Sequence, residues 1–480
     1  MIKINIMITK YQKYKFVLVG LGPHAKRIYI SIFKKYGLNL TLLVDLKSKK
    51  GEIEKFLKEN NLSTELFLVD DSYKDYTSLP EDISDELERK IRLKSIKYAI
   101  ISTEPKAHFM YSKFFLKNEI NILLDKPITS PINCNNDINQ AKKIKEEYEE
   151  LCQLYERKKH KMHFTIQYQR RFHEGFIFIK RLLTNTVKKY NIPITYIDIY
   201  HNDGMWVMPS EYISRENHPY KYGYGKLFHS GYHFIDLLTW FLEVNNFTEN
   251  KKVNNAEMYV STFNPNDSLT VINDQDYQNL FRTHKFDNIF KISENKFKNY
   301  GEIDFHSIIN FKKDDKTITN CTLNLMQSGF SRRSWSNLPK DIYKGNGRVR
   351  HERLNIEVGP LMNIQIHSYQ AYEISEKERI FNNNVGSIEH FEIYIFRNCN
   401  LIGGKPFEKI DLDTLPDNDK EYFCDKNEQA RENCFISFLD NKNDESDLLR
   451  HKNAIDLTAK AFEIMATKSK TSNFEFEILK

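Results

Sequence analysis

The chain has 480 residues, of which 40% are hydrophobic and 13% aromatic, enough for more than one core, and its length sets an expectation of two domains with a long insertion. Its net charge of +6 is the small difference between 71 basic and 65 acidic residues, with no basic block dense enough to track phosphates, so no nucleic-acid partner is expected. Met1 to Lys15 lacks the apolar core and small-residue cleavage site of a secretory signal, no apolar stretch approaches about 18 residues, and the six cysteines are sparse, without Cys-x-x-Cys spacing. These features predict a globular protein of a reducing cytoplasm with no membrane partner.

In chain order, Tyr14 to Val19 is a β-branched and aromatic run that enters Gly20-Leu21-Gly22-Pro23-His24-Ala25, and Ala25 to Lys35 follows with helical character. Strand, tight turn and helix in that order form a dinucleotide-binding signature. Gly20 permits the turn, Gly22 leaves room for a pyrophosphate against the backbone, and Ala25 lets helix and strand pack closely. Leu40 to Asp45 is a second strand with an acid at its end, about 20 residues beyond the glycines, where a ribose is recognised. Asp45 favours NAD, while Lys47, Lys49 and Lys50 leave NADP open.

Leu66 to Val69, Tyr98 to Ile101 and Ile120 to Leu124 continue a pattern of buried strands, with a helix over Lys106 to Lys117, so residues 1–130 are expected to form a Rossmann domain with a doubly wound parallel sheet. Asn136 to Lys161 reads as a polar helix leading out of it. Residues 131–480 are expected to form an α+β substrate and oligomerisation domain with a large, mostly antiparallel open sheet. Its strands are His163 to Tyr168, Ile194 to Tyr200, Glu257 to Thr262, Ile303 to Phe311 and Thr317 to Met326. One helix covers Leu227 to Val244, and another closes the chain at Leu448 to Thr467 before a final run, Phe474 to Leu479. Residues 245–300 and 337–353 are Asn/Lys-rich and read as loop insertions.

The strand Ile120 to Leu124 runs into Asp125-Lys126-Pro127, which places a lysine at the carboxyl end of a sheet strand, where open α/β sheets bind ligands. The preceding strand ends in Ser102-Thr103-Glu104-Pro105, with His108 one helical turn on. Here the chain resembles the glucose-fructose oxidoreductase, inositol dehydrogenase and rhizopine-catabolism (Gfo/Idh/MocA) family. Its Thr-x-Pro, later His and Glu-Lys-Pro are matched by Thr103, Pro105, His108, Lys126 and Pro127, with Asp125 in place of the usual Glu. Gln167 to Phe172 is similar to the family's Arg-Arg-Phe segment, and Gly223 to Asp236 to its Gly-rich segment ending His-x-x-Asp. The resemblance extends over about Tyr14 to Val244.

It implies an NAD(P)-dependent oxidoreductase acting on CH–OH groups, which moves a hydride between nicotinamide and a polyol, sugar or sugar-derived metabolite. Lys126 and His233 would transfer the proton, with the Lys126-Pro127 bond cis. Cofactor contacts are expected from Gly20 to Ala25, Asp45, Ser102, Thr103, Glu104, Pro105, His108, Asp125 and Lys126, and substrate contacts from Arg171, His229, Tyr232 and Asp236. The family's acid four residues before the histidine is His229 here, an imidazole that shuttles protons but carries no fixed negative charge. In a regular helix His229, His233 and Asp236 fall within roughly 60° of one another; acid-base work, with no metal, is the expectation for them. His201 to Trp206 reads equally as a pocket rim or a plain turn, and Gly329 to Trp335 as a solvated loop. A homo-oligomer, dimer or tetramer, is expected from the large sheet. The alternatives are a redox-neutral NAD-dependent glycosidase or lyase, and a non-catalytic nucleotide-binding sensor.

Overall fold

The computed structural model describes residues 10–73, 76–292, 294–337, 347–371, 389–411, 414–415, 426–441 and 445–478. The chain forms two compact units. The first draws on Met1–Pro131, Lys143–His173 and Cys424–Lys452; the second on Ile132–Lys142, Glu174–Phe423 and Asn453–Lys480. Among the described residues no helix is long and apolar enough to cross a membrane.

The first unit is built on six parallel strands, β1 (Lys15–Val19), β2 (Asn39–Leu46), β3 (Glu65–Val69), β4 (Tyr98–Ile101), β5 (Asn121–Leu124) and β6 (Phe164–Ile166), in the order β3-β2-β1-β4-β5-β6. Val17, Leu18, Leu42, Leu43, Ile100, Ile122 and Leu123 are fully buried, as a sheet covered on both faces requires. The strand order reverses between β1 and β4, the switch point where doubly wound sheets bind ligands. The helix expected after β1 forms as Pro23–Arg27 and Tyr29–Tyr36, interrupted at Ile28.

Two features differ from the sequence reading. The pattern of His163 to Tyr168 predicts a strand of the second sheet, but its strand β6 lies parallel to β5 at the edge of the first, with Leu124 opposite Ile166. A two-sidedly buried Phe-Thr-Ile run fits either sheet, and the long helix Ile138–Glu156 before it supplies the crossover a parallel partner needs. Helix Lys426–Asp440, to which no element was assigned, returns to the first unit, where Phe435 and Phe438 join the core formed by Phe16, Tyr29 and Phe33.

Among the described residues the second unit has nine strands: β7 (Tyr196–Asn202), β8 (Asn255–Phe263), β9 (Asp304–Lys313), β10 (Lys316–Met326), β11 (Val349–Val358), β12 (Met362–Ala371), β13 (Glu389–Arg397), β14 (Phe407–Asp411) and β15 (Thr471–Glu475). They are ordered β14-β13-β12-β11-β7-β10-β9-β8-β15, antiparallel except for β7 beside β10. Period-two alternation places Ile197, Ile199, Leu323, Leu325, Ile356 and Ile364 on one buried face. Helical segments pack there: the His201 ring lies 4.3 Å from that of Phe234, and a Cβ on Gly231 would lie 3.0 Å from the Leu325 side chain.

Within residues 245–300 the strand expected at Glu257 to Thr262 forms as β8, while the remainder, read as loop, holds three short helices, Pro265–Val271, Asp274–Phe281 and Asp287–Phe290. Asn273 and Asp276 close a capping box at the second, a start signal that the Asn-rich composition hid. The parts of the 337–353 insertion and the final run that reach 338–346 and 479 lie outside the described residues.

Candidate nucleotide site and buried acid-base cluster

At the switch point of the first unit, Gly20 adopts φ +87, and a Cβ there would lie 2.6 Å from the Ser102 carbonyl oxygen and 2.8 Å from Thr103 Cα. No other residue fits. A Cβ at Gly22 would meet nothing within 4 Å, so this side of the turn is open to a ligand. Asp45 near the end of β2 accepts from Leu21 N at 2.8 Å through Oδ2 and from Leu46 N at 2.8 Å through Oδ1. It therefore fastens the glycine turn to the neighbouring strand. Burial raises its carboxyl above the usual range, opposed by those two N–H bonds. Of the three lysines that left NADP open, Lys47 pairs with Asp70 at 3.1 Å and Lys50 with Glu54 at 3.8 Å.

Asp125 follows β5 and is held by Ser102 Oγ at 2.5 Å and by the Tyr29 hydroxyl, with His24 Nε2 at 3.7 Å. Burial raises its carboxyl, opposed chiefly by the Ser102 and Tyr29 hydrogen bonds. Burial, and then the positive charges of Arg431, Arg27 and Lys126, hold His24 well below the usual histidine range. The Lys126-Pro127 bond is cis. Glu104 pairs with Lys106 at 3.3 Å.

His108, expected at the cofactor, is fully buried, with Nδ1 2.6 Å from the Pro127 carbonyl oxygen and Nε2 3.2 Å from that of Thr103. Its ring lies between the loops after β4 and β5. Arg171, expected at the substrate, is 2% exposed and donates to the carbonyls of Glu445 at 2.7 Å and Arg450 at 3.3 Å, within the same unit. Both placements share a cause. A polar residue beside a motif looks like a ligand contact in sequence, whereas the loops that carry the motif need their own internal donors.

In the second unit the predicted helix begins with a π-helical turn, Leu227–Gly231, before the α-helix Tyr232–Leu242. The wider turn changes the angular relation expected between His229 and His233. Its start is fixed by Glu302, whose main-chain oxygen accepts from Lys226 N at 2.8 Å and whose Oε1 accepts from Leu227 N at 2.7 Å. This contact requires Gly225, where a Cβ would lie 2.3 Å from Glu302 N. Burial pushes the Glu302 carboxyl up to about 7. Tyr232 and Asp236, expected at the substrate, are both fully buried and closed to solvent. His229 and His233 each keep a small accessible edge, 11% and 8%.

Beneath His229 lies a cluster built on the His201 to Trp206 segment, which reads in sequence equally as a pocket rim or a plain turn. Asp203 follows β7 and is fully buried; Oδ2 accepts from Lys226 Nζ at 2.7 Å and Ser230 Oγ at 2.5 Å, and Oδ1 from the Arg348 guanidinium. Arg348 Nε also donates to the Asp203 carbonyl at 3.0 Å. Lys226, itself fully buried, reaches His201 Nδ1 at 2.8 Å. An ammonium only donates, so that imidazole carries its proton on Nε2, which faces Glu352 at 3.7 Å. Burial brings Lys226 down to about 8 against the opposing pull of Asp203. For Asp203, burial acts upward but Lys226 and Arg348 outweigh it, holding the carboxyl well below the usual range. The Gly329 to Trp335 segment, read as solvated, is anchored: Arg333 is buried and binds Glu211 at 2.6 Å and the Trp206 carbonyl at 2.9 Å.

Residues 14–156 match a model described as oxidoreductase family, NAD-binding Rossmann fold. The first unit is thus an NAD-binding Rossmann fold of an oxidoreductase. Over those residues the chain is similar to the Gfo/Idh/MocA oxidoreductases, with the motifs at Gly20, Thr103 and Lys126 inside the matched region. Comparison with curated proteins finds no match. Solved structures share the fold over nearly the full chain. Apo scyllo-inositol dehydrogenase from Lactobacillus casei is 15% identical with TM-score 0.51, covering 96% of this chain and 99% of that one. Aldose-aldose oxidoreductase from Caulobacter crescentus is 11% identical with TM-score 0.53, covering 96% and 100%. An oxidoreductase from Sinorhizobium meliloti is 12% identical with TM-score 0.55, covering 96% and 99%.

Proposed function

We propose that the chain is an NAD(P)-dependent dehydrogenase or reductase acting on the CH–OH group of a polyol, sugar or sugar-derived metabolite. The observation that carries this reading is the placement of Lys126 at the carboxyl end of β5, next to the switch point that holds Gly20, Gly22 and Asp45. Bound nicotinamide supplies the carbon that exchanges a hydride with substrate. Gly20 and Gly22 keep the turn close and open for the pyrophosphate, and Asp45, already holding that turn, offers its carboxylate to the adenosine ribose and favours NAD.

Lys126 takes the hydroxyl proton in oxidation and returns it in reduction. The cation at His24 is disfavoured, so that ring stays neutral near Lys126 and adds no competing charge. In the second unit His233 is the proton-relaying imidazole and His229 a substrate contact, each through its accessible edge. The names of the inositol dehydrogenase and the aldose-aldose oxidoreductase support a polyhydroxylated substrate. A cytoplasmic homo-oligomer belongs to the same reading, with the polar outer face of the nine-stranded sheet, including Tyr200 and Arg353, against a second copy.

The test is Lys126→Ala. The reading predicts turnover reduced at least about 100-fold, the scale of a lost general base, with NADH affinity nearly unchanged; wild-type turnover in this variant contradicts it.

A further inference from the structure

We propose that Asp203 is a positioning residue for His229, a carboxylate fixed at the end of β7 that accepts a hydrogen bond from Nδ1–H when the imidazole becomes charged. His229 Nδ1 lies 3.5 Å from Asp203 Oδ2 and 3.2 Å from Gln327 Nε2. An amide NH2 donates, so it serves an unprotonated Nδ1; a carboxylate accepts, so it serves a protonated one. One ring nitrogen therefore has a suitable partner in each protonation state, and the ring need not move to change state. This is the arrangement a proton-shuttling imidazole requires.

The carboxylate cannot turn away. Lys226, Ser230 and Arg348 hold both of its oxygens, and Arg348 also grips its main chain. Gly204 follows at φ +56, where a Cβ would lie 2.0 Å from the Val349 carbonyl oxygen, so the backbone is fixed as well. Gln327 is held too: its Oε1 accepts from the Tyr220 hydroxyl, and its N–H donates to Asp304 Oδ1 at 2.7 Å. The titratable groups around the ring include Asp203 directly, His218 with its ring 5.3 Å away, and Lys226, Arg348, Tyr220 and Asp304 one hydrogen bond further. With two cations against it, Asp203 stays ionised across the range in which an imidazole titrates. The fixed negative charge that position 229 lacks therefore comes from β7 instead of the helix.

The consequence for turnover rests on the proposed function; the pairing itself does not, so the two are tested separately. Wild type, Lys226→Met, the charge-balanced pair Asp203→Asn with Lys226→Met, and Gln327→Leu are labelled with 13C-histidine, and the His229 signal is assigned by its loss in His229→Gln. Removing the carboxylate should lower the His229 midpoint by about one pH unit between Lys226→Met and the double variant. Removing the amide that favours the neutral ring should raise it in Gln327→Leu. Equal midpoints in the first comparison overturn the proposal. If the double variant does not fold, Gln327→Leu decides alone, and an unmoved or lowered midpoint overturns it. The acid limb of turnover should follow the NMR midpoint. Shifted midpoints without any turnover uphold the pairing and overturn the functional reading instead.

Discussion

Gly20, Asp45 and His108 each fix a loop of the first unit, the first through its backbone and the other two through a side chain. Gly20 and Asp45 follow from spacing, because turn, strand and acid recur at fixed intervals. The side-chain pairing of Asp45 with Leu21 N does not, since it depends on the β1–β2 register. His108 stands at its motif position but acts as a clip between loops, with burial lowering it to about 4 in spite of its two carbonyl partners. The unfolded chain takes up this proton near pH 6.5 and the folded chain only near 4, so the unfolded state binds more protons between them. Stability should accordingly be full above about pH 6.5 and fall as pH drops toward 4, by at most about 3 kcal/mol from His108 alone. Urea unfolding at pH 7, 5.5 and 4 checks this, and a His108→Gln variant should give a flatter profile.

At the scale of elements, periodicity predicts existence and type better than partnership. The alternation of Tyr196 to Asn202 fits a strand that is buried on one face, yet nothing in the run says that it pairs parallel to β10 and antiparallel to β11. The π-turn at Leu227–Gly231 escapes a 3.6-residue reading, because its cause is Glu302, some 75 residues away, which caps the turn through its side chain. Asp203 escapes for the same reason: it becomes notable only when Lys226 from the helix start and Arg348 before β11 arrive beside it. The backbone that brings them together tolerates little change. Gly204→Ala places a methyl group 2.0 Å from the Val349 carbonyl oxygen at positive φ. It should destabilise the protein by about 2–4 kcal/mol, from overpacking and backbone strain together. Thermal unfolding that matches wild type would show that this corner is not held as described.

For the molecule as a whole, the parallel sheet and the larger antiparallel sheet were both anticipated, and the solved structures share that fold at 11–15% identity. Identity so low is consistent with cores that require only apolar residues at the right period, while substrate contacts vary with loops and insertions. The measurement that tests the central claim most directly is titration of the purified protein with NADH and NADPH by fluorescence, followed by a polyol and sugar panel with each oxidised cofactor, in wild type and Asp45→Ala. The account predicts saturable binding that prefers NADH in wild type, at least about tenfold loss of that preference in Asp45→Ala, and turnover on a polyhydroxylated substrate with NADH formed in step with product. Absence of saturable binding, or tight binding with no net reduction of NAD or NADP across the panel, would contradict it.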